Sequence, residues 1–388
     1  MKNYIMMQAM SVVGTYPNRG LTLVEGEGVY LKDESGKAYL DLMTNYGVNI
    51  FGHCHPDLTE SLTAQLRRLT TLHGSFANDM RAEAARALVL RCGGGLSRVY
   101  FSNSGTEANE AALKFAVLAT GRKRFIRCRS GYHGKTLGAL SATDGGKFRA
   151  AFEPLLWDFN VIPYNDPDAL EAALDDRTAG LIVEPVQGEG GIHLPNPGYL
   201  KKAKDLCACR GAVLILDEVQ SGMGRLGTFL ASQPEAIAYD IVTLGKGLAG
   251  GIPVGATLVS AAVAERIPKS SHTSTFGGNP LAAAGILAAL RILDDGLLAH
   301  VREMGECFLT GLRRLESNTS IKAKGKGLML GLEVDSNRDG FLKKLQKEMI
   351  LAIPAAENVV RFLPPYIIQK EQVQWALNKI EEVFAPDA

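Results

Sequence analysis

The chain has almost no surplus of either charge. Lys and Arg number 42 against 41 Asp and Glu, a formal net charge of +1 over 388 residues. Composition therefore offers no electrostatic case for nucleic acid or an anionic membrane as partner. Cysteine is scarce as well. The six, at positions 54, 92, 128, 207, 209 and 307, show neither a disulfide framework nor paired zinc-ligand spacing. Reduced, inert thiols are the reading, and a disulfide-stapled miniprotein is excluded. Long apolar runs are missing too. The longest near the C-terminus, residues 281–290, falls well short of the about 20 residues a helix needs to cross a bilayer. The opening stretch MKNYIMMQAMSVVGTYP lacks a basic region followed by an unbroken apolar core and a cleavage site, so a cytoplasmic location is expected. Internal repeats and low-complexity linkers are also lacking.

What is plentiful is glycine, 42 residues, much of it beside small polar residues at the ends of apolar runs. That pattern suits an enzyme with a loop-built ligand site on an α/β scaffold. At about 150 residues per domain the length suggests two to three domains. Nearly all-apolar runs at 98–102, 124–128, 160–163, 180–184, 212–217 and 241–244 read as parallel strands covered on both faces. Helical stretches at 107–120 and 199–210 lie between them, the second holding Cys207 and Cys209. A mostly parallel sheet covered by helices is predicted for residues 51–280. Residues 281–388 read as a smaller α+β domain, with a Gly-rich strand at 327–334 and a closing helix. Residues 1–50 are expected to join it.

Several motifs need weighing. Gly222-Met-Gly224-Arg-Leu-Gly227 fits a dinucleotide fingerprint, but five residues separate it from its strand and Pro234 follows too soon for a long helix. Gly134-Lys135-Thr136 resembles the end of a Walker loop whose first Gly is replaced by Arg129. Both are decoys. His53-Cys54-His55 has no clustered third metal ligand and reads as a turn before Pro56.

Three features carry more weight. Ser104-Gly105-Thr106-Glu107 runs from a strand end into a helix. The Ser104–Glu107 spacing is that of a capping box, which in isolation marks only a helix start, while the hydroxyls and backbone N–H groups converging at the positive helix end could also make a phosphate cradle. A second strand ends in Asp217, and a third ends in Gly245-Lys246-Gly247. A lysine held from solvent there has a lowered pKa and can attack carbonyls. An acid on the same strand edge could face the same crevice. Cradle, acid and lysine together ask for a phosphorylated aldehyde on a nitrogen heterocycle, and pyridoxal 5′-phosphate has those parts.

Here the sequence resembles the class III aminotransferases, the ornithine/acetylornithine/putrescine group of the pyridoxal-phosphate fold type I enzymes. FSNSGTEANEAALK, YHGKTLGALSAT, IVEPVQGEGG, LILDEVQSGMGR, TLGKGLAGGIPVGA and HTSTFGGNPLAAA are similar to its signature blocks, in order. By that resemblance Lys246 would take the cofactor's aldehyde and move the proton at the substrate carbon. Asp217 would hold the pyridine nitrogen and Gln220 would reach the ring's phenolic oxygen. Gly105 and Thr106, with Ser104 beside them, would hold the phosphate, and Tyr132 would stack on the ring. Thr275 would reach the phosphate of a partner subunit, implying a homodimer. Arg361 would grip the carboxylate of 2-oxoglutarate or glutamate, with Glu189 pairing it when an ω-amine substrate is bound. Tyr46 and Ser274 match substrate-side positions.

Lys135 departs from the pattern, because acetylornithine and ornithine enzymes carry Arg there. A point charge in place of a planar fork is not a conservative exchange. The block YHGKTLGALSAT is closer to putrescine-type enzymes, whose diamine donors have no carboxylate. The resemblance thus implies an ω-aminotransferase moving a terminal amine from a diamine or an ornithine/acetylornithine-type donor to 2-oxoglutarate. Alternatives are a glutamate-semialdehyde-type aminomutase, a decarboxylase or racemase and, from other classes, a non-catalytic cofactor-binding protein or a nicotinamide dehydrogenase.

Overall fold

The computed structural model describes residues 3–318 and 320–384. Seven strands form its central sheet: β1 (Leu96–Ser102), β2 (Arg124–Cys128), β3 (Asp158–Ile162), β4 (Thr178–Val183), β5 (Val213–Asp217), β6 (Ile241–Leu244) and β7 (Gly255–Ser260). Their order is β1-β7-β6-β5-β4-β2-β3. The runs read from sequence are all here. β2, β3, β4, β5 and β6 pair in parallel. β7, which the sequence pattern did not show, runs against both β1 and β6. Every residue of β4, β5 and β6 is buried, as expected of strands covered on both faces.

Helix α1 (Gly105–Thr120) starts at Ser104, whose hydroxyl accepts from the Glu107 N–H at 3.3 Å, and stops at left-handed Gly121. It buries Ala108, Ala111 and Ala112, small residues that bring the helix close to the sheet, together with Phe115. Farther on, β8 (Met329–Glu333) and β9 (Val359–Phe362) pair antiparallel, Gly331 opposite Arg361. Closing helix α2 (Lys370–Phe384) buries Val373, Leu377, Ile380 and Phe384, one face of its 3.6-residue period. The strand Ala38–Asp41 pairs in parallel with Ile350–Leu351. One buried apolar cluster runs from Val29 through Leu214 and Val242 to Phe308 and Phe384.

Residues 44–47 form a left-handed turn, with φ of 44° at Thr44, 51° at Asn45, 61° at Tyr46 and 88° at Gly47. Non-glycine residues there cost about 1–2 kcal/mol each. The turn is held from both ends. Asp41 Oδ1 accepts the N–H groups of Met43 (3.0 Å) and Thr44 (2.8 Å), and the Thr44 hydroxyl donates to Leu363 O at 2.7 Å.

Among the described residues no helix is long and apolar enough to cross a membrane, and no group of three or more His, Cys, Asp or Glu could hold a metal. His53 lies 2.8 Å from Asp41 Oδ2.

Candidate active site

The chain leaves β1, β2, β4, β5 and β6 at one edge of the sheet, and each exit delivers polar residues to the same place. They surround a cavity of about 420 Å³, lined among others by Gly105, Thr106, Tyr132, Lys135, Glu189, Asp217, Gln220 and Lys246. The left-handed turn adds Tyr46. Ligand crevices of open α/β sheets lie at this carboxyl edge.

Lys246 follows β6 in a strained conformation, φ 48°, that turns the chain at once into a short 3₁₀ segment. The side chain is half-buried and lines the cavity. Among the described residues its amine has no hydrogen-bond or ion-pair partner. Desolvation pulls its pKa down to about 8, with the Asp217 charge opposing. Asp217 ends β5, one strand away, opposite Thr243. Its Oδ2 accepts from Asn109 Nδ2 at 2.7 Å and lies 2.7 Å from His133 Nδ1, while Oδ1 accepts from the Val219 N–H at 3.0 Å. A carboxylate offers only lone pairs, which puts the imidazole proton on Nδ1. Asn109 is fixed in turn by the Thr243 hydroxyl at 2.8 Å. His133 Nε2 is buried and, among the described residues, has no hydrogen-bond partner.

Glu184, one residue past β4, accepts from the N–H groups of Tyr132 (2.9 Å) and Gly188 (3.1 Å). Burial nevertheless pushes its pKa up to about 7. At the helix end, loops close in where only glycine fits. A Cβ on Gly105 would stand 2.5 Å from Val219 Cγ1, and one on Gly134 would stand 2.0 Å from Thr106 Oγ1. Thr106 and Thr136 hydroxyls lie 2.9 Å apart. At the mouth, Tyr132 meets Phe148 edge-on at 5.6 Å. Lys135 and Lys147 sit 5.3 Å and 4.7 Å from the Phe148 ring centre.

Arg361 projects from β9, fully buried. Nη2 donates to Glu189 Oε2 at 2.8 Å and to Pro354 O at 3.0 Å, and Nη1 donates to Gln220 Oε1 at 3.0 Å. Its guanidinium lies 5.5 Å from the Tyr46 ring centre, and its Nε is buried and, among the described residues, has no hydrogen-bond partner.

The comparisons with known proteins agree on this arrangement's family. The model of the family described as "Aminotransferase class-III" matches residues 14–384. The chain belongs to that family. It is 42% identical to an acetylornithine aminotransferase of Methanopyrus kandleri over 375 residues, 96% of each chain. It is 39% identical to the [LysW]-aminoadipate semialdehyde transaminase of Deinococcus radiodurans, covering 96% of this chain and 87% of that one. A crystal structure of the ornithine aminotransferase from Toxoplasma gondii, with partial occupancy of pyridoxal phosphate at its active site, superposes with a TM-score of 0.93. It is 34% identical, covering 98% of this chain and 93% of that one.

Class-III aminotransferases use pyridoxal 5′-phosphate, and the residues of this member fit that group. Gly105 and Gly134 let the loops close tightly around the α1 N-terminus where it lines the cavity, the free Lys246 amine faces that cavity, and an acid is held on the same side. Not every residue picked from the sequence lines the cavity. Ser104 caps α1 instead. Ser274 Oγ accepts from Asn103 Nδ2 at 3.2 Å and from the Gly277 N–H at 2.9 Å, and Thr275 is exposed. His133, Asn109 and Glu184 were not singled out. Their signals were present: Glu184 ends an apolar strand as Asp217 does, and the other two lie inside the YHGKT and GTEAN blocks.

Proposed function

We propose that this class-III aminotransferase moves the terminal amine of an acetylornithine-type donor to 2-oxoglutarate, giving an aldehyde and glutamate. The observation that carries the reading is the Arg361–Glu189 pair: a buried cation directly behind the cavity-lining residues Glu189 and Gln220, whose carboxylate partner is one-quarter exposed. A dicarboxylate could take the cation by displacing Glu189, while a donor with no anion at that end leaves the pair closed. An aminomutase, which needs no external acceptor, has no use for such an exchange.

Pyridoxal phosphate, when bound, supplies the aldehyde that takes up the amine and the ring that accepts electrons from the substrate carbon. The N–H groups of Gly105 and Thr106 would bind its phosphate, and Tyr132 would cover one ring face. Asp217, held in place by His133 and Asn109, would hold the proton on the ring nitrogen. Gln220 presents its oxygen to Arg361, which leaves its Nε2 donor for the ring's phenolic oxygen. Lys246, with its lowered pKa, would move the proton at the substrate carbon.

For the donor, the named relatives and the cationic mouth support a far end carrying a carboxylate. Among the described residues neither Lys135 nor Lys147 has an acidic partner. A diamine such as putrescine is the second reading, favoured by the lack of a bidentate fork at Lys135. We also propose a homodimer in which Thr275 reaches the partner's cofactor, and a division at residues 50 and 280, supported by the Ala38–Asp41 pairing with Ile350–Leu351. Residues 1–2 and 385–388 of that division lie outside the described residues. A donor panel of putrescine, cadaverine, ornithine, acetylornithine and 4-aminobutyrate with 2-oxoglutarate, followed by glutamate formation, tests the reaction. Absence of glutamate with every donor would refute it.

A further inference from the structure

A second arginine is as deeply buried as Arg361, and neither is among the residues that line the cavity. Arg225, in the 222–227 loop after β5, is 1% exposed, and among the described residues no carboxylate lies within ion-pair distance of it. An unpaired buried guanidinium is costly to desolvate, and burial draws its pKa down. Its guanidinium lies 4.7 Å from the Tyr366 ring centre, and Nη1 donates to Leu328 O at 3.1 Å and to Pro364 O at 2.7 Å. Its own carbonyl accepts the Leu328 N–H at 3.0 Å.

The sequence explains why a cation is needed there. β8 and β9 pair with Leu330 opposite Phe362. Two residues further in that register Leu328 stands opposite Pro364. Pro364 has no N–H to offer the Leu328 carbonyl, and the Leu328 N–H goes to Arg225 O instead of Pro364 O, so both carbonyls need another donor. One nitrogen of Arg225 serves both. The neighbouring residue is held from the other side: Leu363 O accepts the Thr44 hydroxyl at 2.7 Å, and the Leu363 N–H donates to Leu42 O at 2.7 Å. Gly47, which ends the left-handed turn carrying Tyr46, packs on the same spot. A Cβ there would stand 3.7 Å from Arg225 Nη2 and 3.6 Å from Leu363 Cδ1.

We infer that Arg225 is a positioning residue for the acceptor's carboxylate. It replaces the ladder donor that proline removes, and so fixes the segment following Arg361 against the turn that lays Tyr46 beside it. The inference rests on the proposed role of Arg361 in gripping the acceptor, and the test separates the two.

The test uses the cofactor-loaded enzyme and compares Arg225→Met, Arg225→Lys and Arg361→Ala. Three quantities are measured: the Kd of glutarate by calorimetry, each half-reaction in single turnover, and the thermal midpoint. A wall displaced by a fraction of an ångström should weaken glutarate by about ten-fold in Arg225→Met, with the donor half-reaction within about two-fold of wild type. Arg225→Lys keeps the charge and a donor and should recover part of the loss. A folded Arg225→Met with unchanged glutarate binding, or with equal damage to both half-reactions, overturns the inference. If that variant does not fold, Arg225→Lys decides, and wild-type glutarate binding in it overturns the inference. Unchanged glutarate binding in Arg361→Ala instead removes the acceptor reading itself.

Discussion

Glu189 Oε2 stands 2.8 Å from Arg361 Nη2, yet the two partners are unequally enclosed: the carboxylate is 25% exposed and the guanidinium 0%. Glu189 can turn to water, whereas Arg361 is also held by Gln220 and the Pro354 carbonyl. Opening the pair therefore means moving the acid and leaving the cation in place for an incoming carboxylate. Glu189→Gln removes the competing charge and leaves the cation uncompensated. It should tighten glutarate binding by about ten-fold and slow the amine half-reaction, because the unmasked cation repels an ammonium donor. Slower turnover with both substrates and no gain in glutarate affinity would count against the exchange.

Lys246 should be the residue that captures the cofactor. Borohydride reduction of the cofactor-loaded protein should fix the label on Lys246, read by peptide mass spectrometry, and Lys246→Ala should give none. The amine, drawn down to about 8, should capture aldehydes with a midpoint near that pH. The sign for stability follows. A lysine whose folded pKa lies below its ordinary 10.5 favours the fold increasingly as pH rises from about 8 to 10.5, where only the unfolded chain still binds the proton. Label on a different lysine would end this assignment.

Glu184 makes the opposite prediction. Its folded pKa, about 7, lies above the ordinary 4.5 because burial outweighs the two N–H groups it accepts. Between those values the unfolded chain has released the proton and the folded chain has not, so this group's contribution to stability falls as pH rises through that window. Glu184→Gln keeps the shape and removes the titration. Denaturant midpoints measured from pH 5 to 8 should show the wild type losing stability relative to the variant. Parallel curves would show that Glu184 is already ionised at pH 5.

Much of this was legible in the sequence because the strands carrying the site are apolar and short. β2 and β6 have the limits their residues announce, and Asp217 and Lys246 stand where apolar runs stop. β7, Gly-Ala-Thr-Leu-Val-Ser, escaped notice because its start is small and polar and follows a glycine-rich loop. The left-handed turn was not readable either. Thr and Tyr rarely take positive φ, and what holds them there is Asp41 and a carbonyl 319 positions away. His133 and Asn109 act through Asp217, 84 and 108 positions distant, a relation that only the folded chain reveals.

Lys135 should set which donor the mouth prefers. It is exposed, lines the cavity, and shares the Phe148 ring with Lys147, and among the described residues no acid pairs with either. Two uncompensated cations attract a donor whose far end is a carboxylate and repel one that ends in a second ammonium. Wild type should therefore favour acetylornithine over putrescine in kcat/KM. Lys135→Met should narrow that preference by about ten-fold, the worth of one charge-assisted contact of roughly 1–2 kcal/mol. Lys135→Arg should widen it, since a guanidinium can make two parallel bonds to the carboxylate where an ammonium makes one point contact. The diamine reading gives a different pattern: putrescine rivals acetylornithine in wild type, Lys135→Met improves putrescine, and only Lys135→Arg brings acetylornithine forward. A lysine that merely rests on Phe148 gives a third, with neither substitution moving the ratio. Two donors and two variants, compared by kcat/KM, separate these outcomes without any assumption about the acceptor.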